Sequence, residues 1–154
     1  MKVLFADDCP TTRSIIRKSL IEWGYEPIIA SNGSEALNIL LEPNAPRLAV
    51  LDWRMPHLEG PEICQQIRDQ GSNKPYTYVI ILTARGGADD FQTAITAGAD
   101  EFVTKPVKEV DLKLRLANGV RLVELHDELA IAKKEIARLT LQLDKRSLAS
   151  SGSR

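Results

Sequence analysis

Leu48-Ala49-Val50-Leu51-Asp52-Trp53-Arg54-Met55-Pro56 is the stretch that decides the fold. Its first four residues are all apolar, which predicts a strand buried on both faces, as in a parallel sheet covered by helices. The run stops at a carboxylate, Asp52. Working outward, the same pattern recurs. Lys2 to Ala6 reads as a strand and ends at Asp7-Asp8. Tyr78 to Leu82 ends at Thr83, and the short run Glu101 to Val103 ends at Thr104-Lys105-Pro106. Tyr25 to Ala30 reads as a further strand, placed at an edge by Pro27, which has no N–H to donate to a ladder.

Amphipathic stretches separate these strands. Thr11 to Trp23 predicts a helix, capped by Thr11 or Thr12, with Ile15, Ile16, Leu20 and Ile21 on one side. Ser34 to Leu41, Leu58 to Arg68 and Ala88 to Ala97 predict three more, the last closed by Gly98. A final helix starts near Lys108. Five β/α repeats with buried strands make a parallel sheet with helices on both faces. Right-handed crossovers then restrict the topology to the doubly wound α/β class.

The bulk properties narrow the function. The chain has 154 residues, enough for one domain and an appendage, and a formal net charge of -1. That charge gives no global attraction to nucleic acid or to an anionic membrane. No apolar run approaches the roughly 18 residues of a membrane span. The N-terminus meets Asp7-Asp8 where a signal peptide would stay apolar, so a cytoplasmic protein is expected. Cys9 and Cys64 lack metal-like spacing and read as free thiols. His57 and His126 read as solvated.

In an open α/β sheet, ligands sit beyond the carboxyl ends of the strands. At that rim the sequence sets Asp7, Asp8, Asp52, Thr83 and Lys105. An Asp-Asp pair after a strand is ordinarily a cap or turn, and a lone Lys-Pro ordinarily nothing. Their recurrence at the same end of successive strands is what carries meaning. Three carboxylates in one place repel one another, and a hard divalent cation relieves that repulsion. Mg²⁺ with oxygen ligands from Asp7, Asp8 and Asp52 fits, with Lys105 as a nearby point charge. A carboxylate can also attack phosphorus to give an aspartyl-phosphate, a reaction governed by positioning and cations. Asp52, leaving the central strand, is the expected acceptor.

These residues resemble the receiver domain of two-component response regulators. The resemblance covers about residues 1–120 and rests on Asp7-Asp8, Asp52-x-x-Met55-Pro56 ending in Gly60, Leu82-Thr83-Ala84, Gly98-Ala99-Asp100 and Lys105-Pro106. It implies a five-stranded flavodoxin-like sheet of order 2-1-3-4-5, and a phosphoryl group taken from a histidine kinase or phosphotransfer protein. It implies Mg²⁺ held by Asp8, Asp52 and the carbonyl of Arg54, with Asp7 acting through water. Thr83 and Lys105 would hydrogen-bond the phosphoryl group. Phe102 matches an aromatic position that moves with Thr83, and the peptide before Pro106 is expected to be cis. Arg54 and Arg85 would flank the acceptor. The switching surface would be helix four, strand five and helix five.

From Lys108 to about Arg146 there is no proline, and the only glycine is Gly119. Leu122, Leu125, Leu129, Ala132, Ile136, Leu139 and Leu143 alternate at spacings of three and four, about three heptads of a coiled-coil seam. Ile136 at an a position with Leu125 and Leu139 at d favours a parallel homodimer, with Glu128 reaching the other helix's Lys133. The organisation expected is therefore a receiver over 1–120, a coiled-coil extension over 121–146 and a disordered tail or linker over 147–154.

Three classes of function compete. One is a non-enzymatic signalling receiver; its variant is the truncated regulatory half of a larger response regulator with an enzymatic output such as a diguanylate cyclase. A phosphatase resembling the haloacid dehalogenases would need a second Asp two residues after the acceptor, where Arg54 stands. DNA binding would need a recognition module, and Lys113, Arg115 and Arg121 form no dense basic stretch.

Overall fold

The computed structural model describes residues 1–84 and 86–152, and of residue 72 the backbone alone. In chain order the elements are β1 (Lys2–Ala6), α1 (Pro10–Glu22), β2 (Glu26–Ala30), α2 (Gly33–Leu41), β3 (Leu48–Asp52), α3 (Gly60–Arg68), β4 (Tyr78–Thr83), α4 (Ala88–Ala97), β5 (Glu101–Thr104) and α5 (Glu109–Ser151). The five strands form one sheet in the order β2-β1-β3-β4-β5, every pair parallel. The expected doubly wound sheet is thus present, with Pro27 on its edge strand.

Successive strand residues point to opposite faces. Leu48 and Val50 therefore pack with Leu20, Leu112 and Leu116 of α1 and α5. Ala49 and Leu51 pack with Ala36, Ile63 and Ala94 of α2, α3 and α4. All five residues of β3 and all six of β4 are buried. Each fully buried Leu or Ile is worth about 1.5–3 kcal/mol, so the two faces together hold the strand ends in fixed register.

Several boundaries move for local reasons. α1 opens at Pro10 with Cys9 as its cap and no side-chain capping bond, so neither Thr11 nor Thr12 caps it. Proline suits the first helical position because its missing N–H is an orphan there anyway. α3 opens at Gly60, two residues later than expected, and the Glu62 carboxylate accepts from the Glu59 N–H at 2.9 Å. Gly98 ends α4 in the left-handed region, φ 88°, as anticipated.

The largest difference is at the C-terminus. α5 does not stop near Arg146 but runs through 43 residues to Ser151, about 65 Å of helix. Ser147, Leu148, Ala149, Ser150 and Ser151 carry no helix breaker, and Gly152 is the first. Residues 147–151 are therefore helical, not a disordered tail, and residues 153 and 154 lie outside the described residues. Leu112, Leu116, Gly119 and Val123 bury one stripe of α5 against the sheet. Gly119 permits this, since a Cβ there would lie 2.6 Å from Tyr78 Cδ1 and 2.9 Å from Leu48 Cδ2.

The expected seam divides at this point. Leu122 packs against the domain's own core, because the helix still lies on the sheet there. Leu125, Leu129, Ile136, Leu139 and Leu143 are 45–64% exposed, and Ala132 is exposed with them. His126 is not simply solvated: its ring stacks on Tyr76, centroids 4.0 Å apart. No helix among the described residues is long and apolar enough to cross a membrane.

Candidate functional site: an acidic rim with one shared lysine

Parallel register brings the strand ends to one rim. Asp52 pairs with Leu82, and Thr83 with Thr104, so β3, β4 and β5 finish side by side. β1 ends one residue before Asp7, whose N–H donates to the Ala30 carbonyl. The Trp53 N–H donates to the Leu82 carbonyl at 2.7 Å, and the Lys105 N–H to the Thr83 carbonyl at 2.7 Å. These bonds carry the ladder just past the strands and fix where the loops depart.

The Lys105 ammonium lies 3.0 Å from Asp52 Oδ1 and 3.2 Å from Asp7 Oδ2. Carboxylate oxygens of Asp7, Asp8 and Asp52 all fall within 4.8 Å of one another. Asp7 is 1% exposed and Asp52 8%, whereas Asp8 is open to solvent. Asp7 Oδ1 accepts the Cys9 N–H at 2.8 Å, and Arg13 donates to the Asp7 carbonyl at 2.9 Å. Burial pushes the Asp52 carboxyl above its ordinary value; hydrogen bonding and charge from Lys105 oppose this, and Asp7 and Asp8 add to it. Burial also works against the Lys105 charge, but the hydrogen bond to Asp52 and the charges of Asp52 and Asp7 outweigh it, and its pKa rises. One ammonium is thus shared by an acidic group that still carries excess negative charge. An all-oxygen donor set with uncompensated charge fits a hard divalent cation of the Mg²⁺ kind.

Gly60 sets the backbone at Asp52. Its N–H donates to the Trp53 carbonyl at 2.9 Å, and a Cβ on it would stand 2.7 Å from the Asp52 carbonyl oxygen. Thr83 is buried at the rim. The Lys105–Pro106 peptide is cis, as expected. Arg54 is exposed in the loop after Asp52, and Arg85 lies outside the described residues.

Phe102 belongs to an aromatic chain that sequence reasoning missed. Its ring meets Trp53 edge-on at 5.8 Å and Phe91 edge-on at 5.5 Å. These rings link the residue after Asp52 to α4. Trp53 adjoins Asp52 and was the available signal; Phe91 stands on α4, and nothing in its local sequence points there.

A model of the response regulator receiver domain matches residues 3–117. The chain belongs to this family. The receiver is 41% identical over 120 residues to the probable transcriptional regulator ycf27 of Porphyra purpurea, covering 78% of this chain and 47% of that protein. The chain is 33% identical over 141 residues to the response regulator MprA of Mycobacterium avium, covering 92% of this chain and 60% of that one. Among solved structures, a response regulator receiver domain protein from Clostridium thermocellum superposes with a TM-score of 0.72 at 33% identity, covering 80% of this chain and 97% of that one. The chain therefore spans about half the length of the curated relatives it matches.

Proposed function

We propose that this receiver takes a phosphoryl group on Asp52 from a histidine kinase or phosphotransfer protein. In this reading Mg²⁺ would be held by Asp8, Asp52 and the backbone carbonyl of Arg54, with Asp7 acting through water. The observation that carries it is the Lys105 ammonium divided between Asp52 and Asp7, which leaves an oxygen-lined acidic group short of positive charge. An Asp52 carboxylate oxygen forms a bond to phosphorus while the phosphorus–nitrogen bond of the phosphohistidine breaks, and the electron pair returns to the imidazole. Lys105 and Thr83 hold the phosphoryl oxygens as their charge redistributes. When bound, the cation supplies neutralisation of those same oxygens. The chain is read as a regulator, not as an enzyme acting on other substrates.

The new phosphate adds about -1.5 to -2 charge at the rim. Thr83 and Lys105 follow it, Phe102 and Pro106 move with their loops, and the change is read on the face made by α4, β5 and α5. The exposed seam from Leu125 to Leu143 pairs with a second copy as a parallel dimer. A second reading makes the receiver the regulatory part of a response regulator with an enzymatic output such as a diguanylate cyclase. The seam favours it, since a paired helix would relay receiver orientation to whatever it carries.

Intact mass after incubation with acetyl phosphate tests the central step. One phosphoryl adduct is expected, dependent on Mg²⁺ and absent from Asp52→Asn. An adduct retained by Asp52→Asn would remove Asp52 as acceptor.

A further inference from the structure

At the opposite end of the sheet from the acidic rim, Tyr76 sits in the loop before β4 and is held from every side. Its ring has two partners. His126 of α5 stacks on it with 8° between the planes, and the Arg68 guanidinium lies 4.7 Å from its centroid. Its hydroxyl donates to the Asp100 carboxylate. Its carbonyl accepts from Arg47 Nε at 2.7 Å. The same Arg47 forms a two-pronged pair with Asp127, at 2.8 and 3.1 Å, on the residue after His126.

Asp100 lies in the turn between α4 and β5, and it too is fully engaged. Arg68 donates to it at 2.9 Å and the Val79 N–H at 2.8 Å. Arg68 also donates to the carbonyl of Gly98, which ends α4, and to that of Thr77. Beyond His126 every described residue of α5 is exposed, and His126 and Asp127 carry the ring stack and the ion pair that tie this part of the helix to the domain. The stripe from Leu112 to Val123 lays α5 on the sheet, and His126 and Asp127 hold it one turn further on.

We propose that Tyr76 couples the α4–β5 turn to the exit of α5, so that the contact at His126 follows the position of Asp100. The hydroxyl and the ring are two ends of one rigid side chain. A shift of Asp100 tilts the ring, and the tilted ring either carries His126 with it or loses the stack. Arg47 keeps the Tyr76 backbone tied to Asp127, so the motion is a pivot about that point. The coupling itself needs no phosphate; only its use as a signal rests on the receiver chemistry proposed above.

The chain has two histidines, so the ring protons of His126 can be read beside those of His57 in one NMR spectrum of the full chain. His57 is exposed in the loop after β3 and serves as the reference. Asp100→Asn should move the His126 ring resonances toward their unstacked positions and leave His57 in place. Tyr76→Phe keeps the ring and removes the hydroxyl, and in that background Asp100→Asn should leave His126 unmoved. Equal responses with and without the hydroxyl, or none in the otherwise wild-type chain, would overturn the coupling. Should Asp100→Asn fail to fold, Asp100→Glu keeps the charge and displaces it, with the same outcomes expected. Beryllofluoride with Mg²⁺, a mimic of the phosphoryl group, separates the two readings. Movement of amides around Asp52 together with His126 is expected. Movement around Asp52 with His126 still would overturn the use of the coupling as a signal and spare the receiver chemistry. No response anywhere would count against the receiver chemistry alone, and the Asp100 variants would still decide the coupling.

Discussion

Asp52 is held in tension between burial, which favours its neutral form, and Lys105, which favours the charged one. Because its folded pKa is raised, ionisation costs stability. That cost is absent below the ordinary value of 3.8 and grows as pH rises through the folded value. Asp52→Asn without metal is therefore expected to match the wild type in acid. Near pH 7 it should be more stable by about 1 kcal/mol, the scale left after one repelling charge and one ion pair are removed together. Urea denaturation at the two pH values measures it. Gly60 gives a second test: Gly60→Ala must displace the Asp52 carbonyl, 2.7 Å from the new methyl. A displacement approaching 1 Å is expected to slow acetyl-phosphate labelling by about 100-fold. Asp7, Asp8, Asp52 and Lys105 were legible in the sequence because strand ends mark the rim and each of these residues follows one. Trp53 and Phe91 were not, since edge-to-face packing between distant segments leaves no local periodicity.

At the scale of the element, α5 depends on one residue without a side chain. Alanine at position 119 would gain about 1 kcal/mol in helix propensity. The methyl would also meet Tyr78 and Leu48 at 2.6–2.9 Å within a packed core, and overpacking there costs typically about 1–3 kcal/mol. The clash wins: Gly119→Ala is expected to lower stability by about 1 kcal/mol in urea denaturation. The exposed seam makes a separate prediction. Leu129→Lys with Ile136→Lys is expected to leave the fold intact by circular dichroism and to yield monomers in sedimentation equilibrium where the wild type dimerises. A wild type that is monomeric at all concentrations would remove the seam. The heptad spacing was plain in the sequence, but its starting point was not. Leu122 satisfies the same spacing as Leu129, and only the sheet beneath it takes it out of the exposed stripe.

For the whole molecule, cation binding at the rim should appear as stability by mass action. At about 100 times its dissociation constant, Mg²⁺ is expected to add roughly 2.7 kcal/mol, raising the thermal midpoint by roughly 5–10 °C. Chelation should reverse the shift, and Asp52→Asn should shrink it; an unchanged midpoint in scanning calorimetry would argue against the site. The sequence by itself determined the layered parallel sheet, its edge strand and the rim with Asp52 on its central strand. Those depend on alternation, strand length and the residue that follows each strand, all local properties of the chain. Tertiary structure alone decided how one lysine is divided between two acids and which seam leucine the domain keeps for itself. It alone decided that Tyr76, Asp100 and His126 meet. Each of these depends on distances between segments far apart in the chain, set by the packing of α5 and the loops against the finished sheet, and residue type and spacing do not encode such distances.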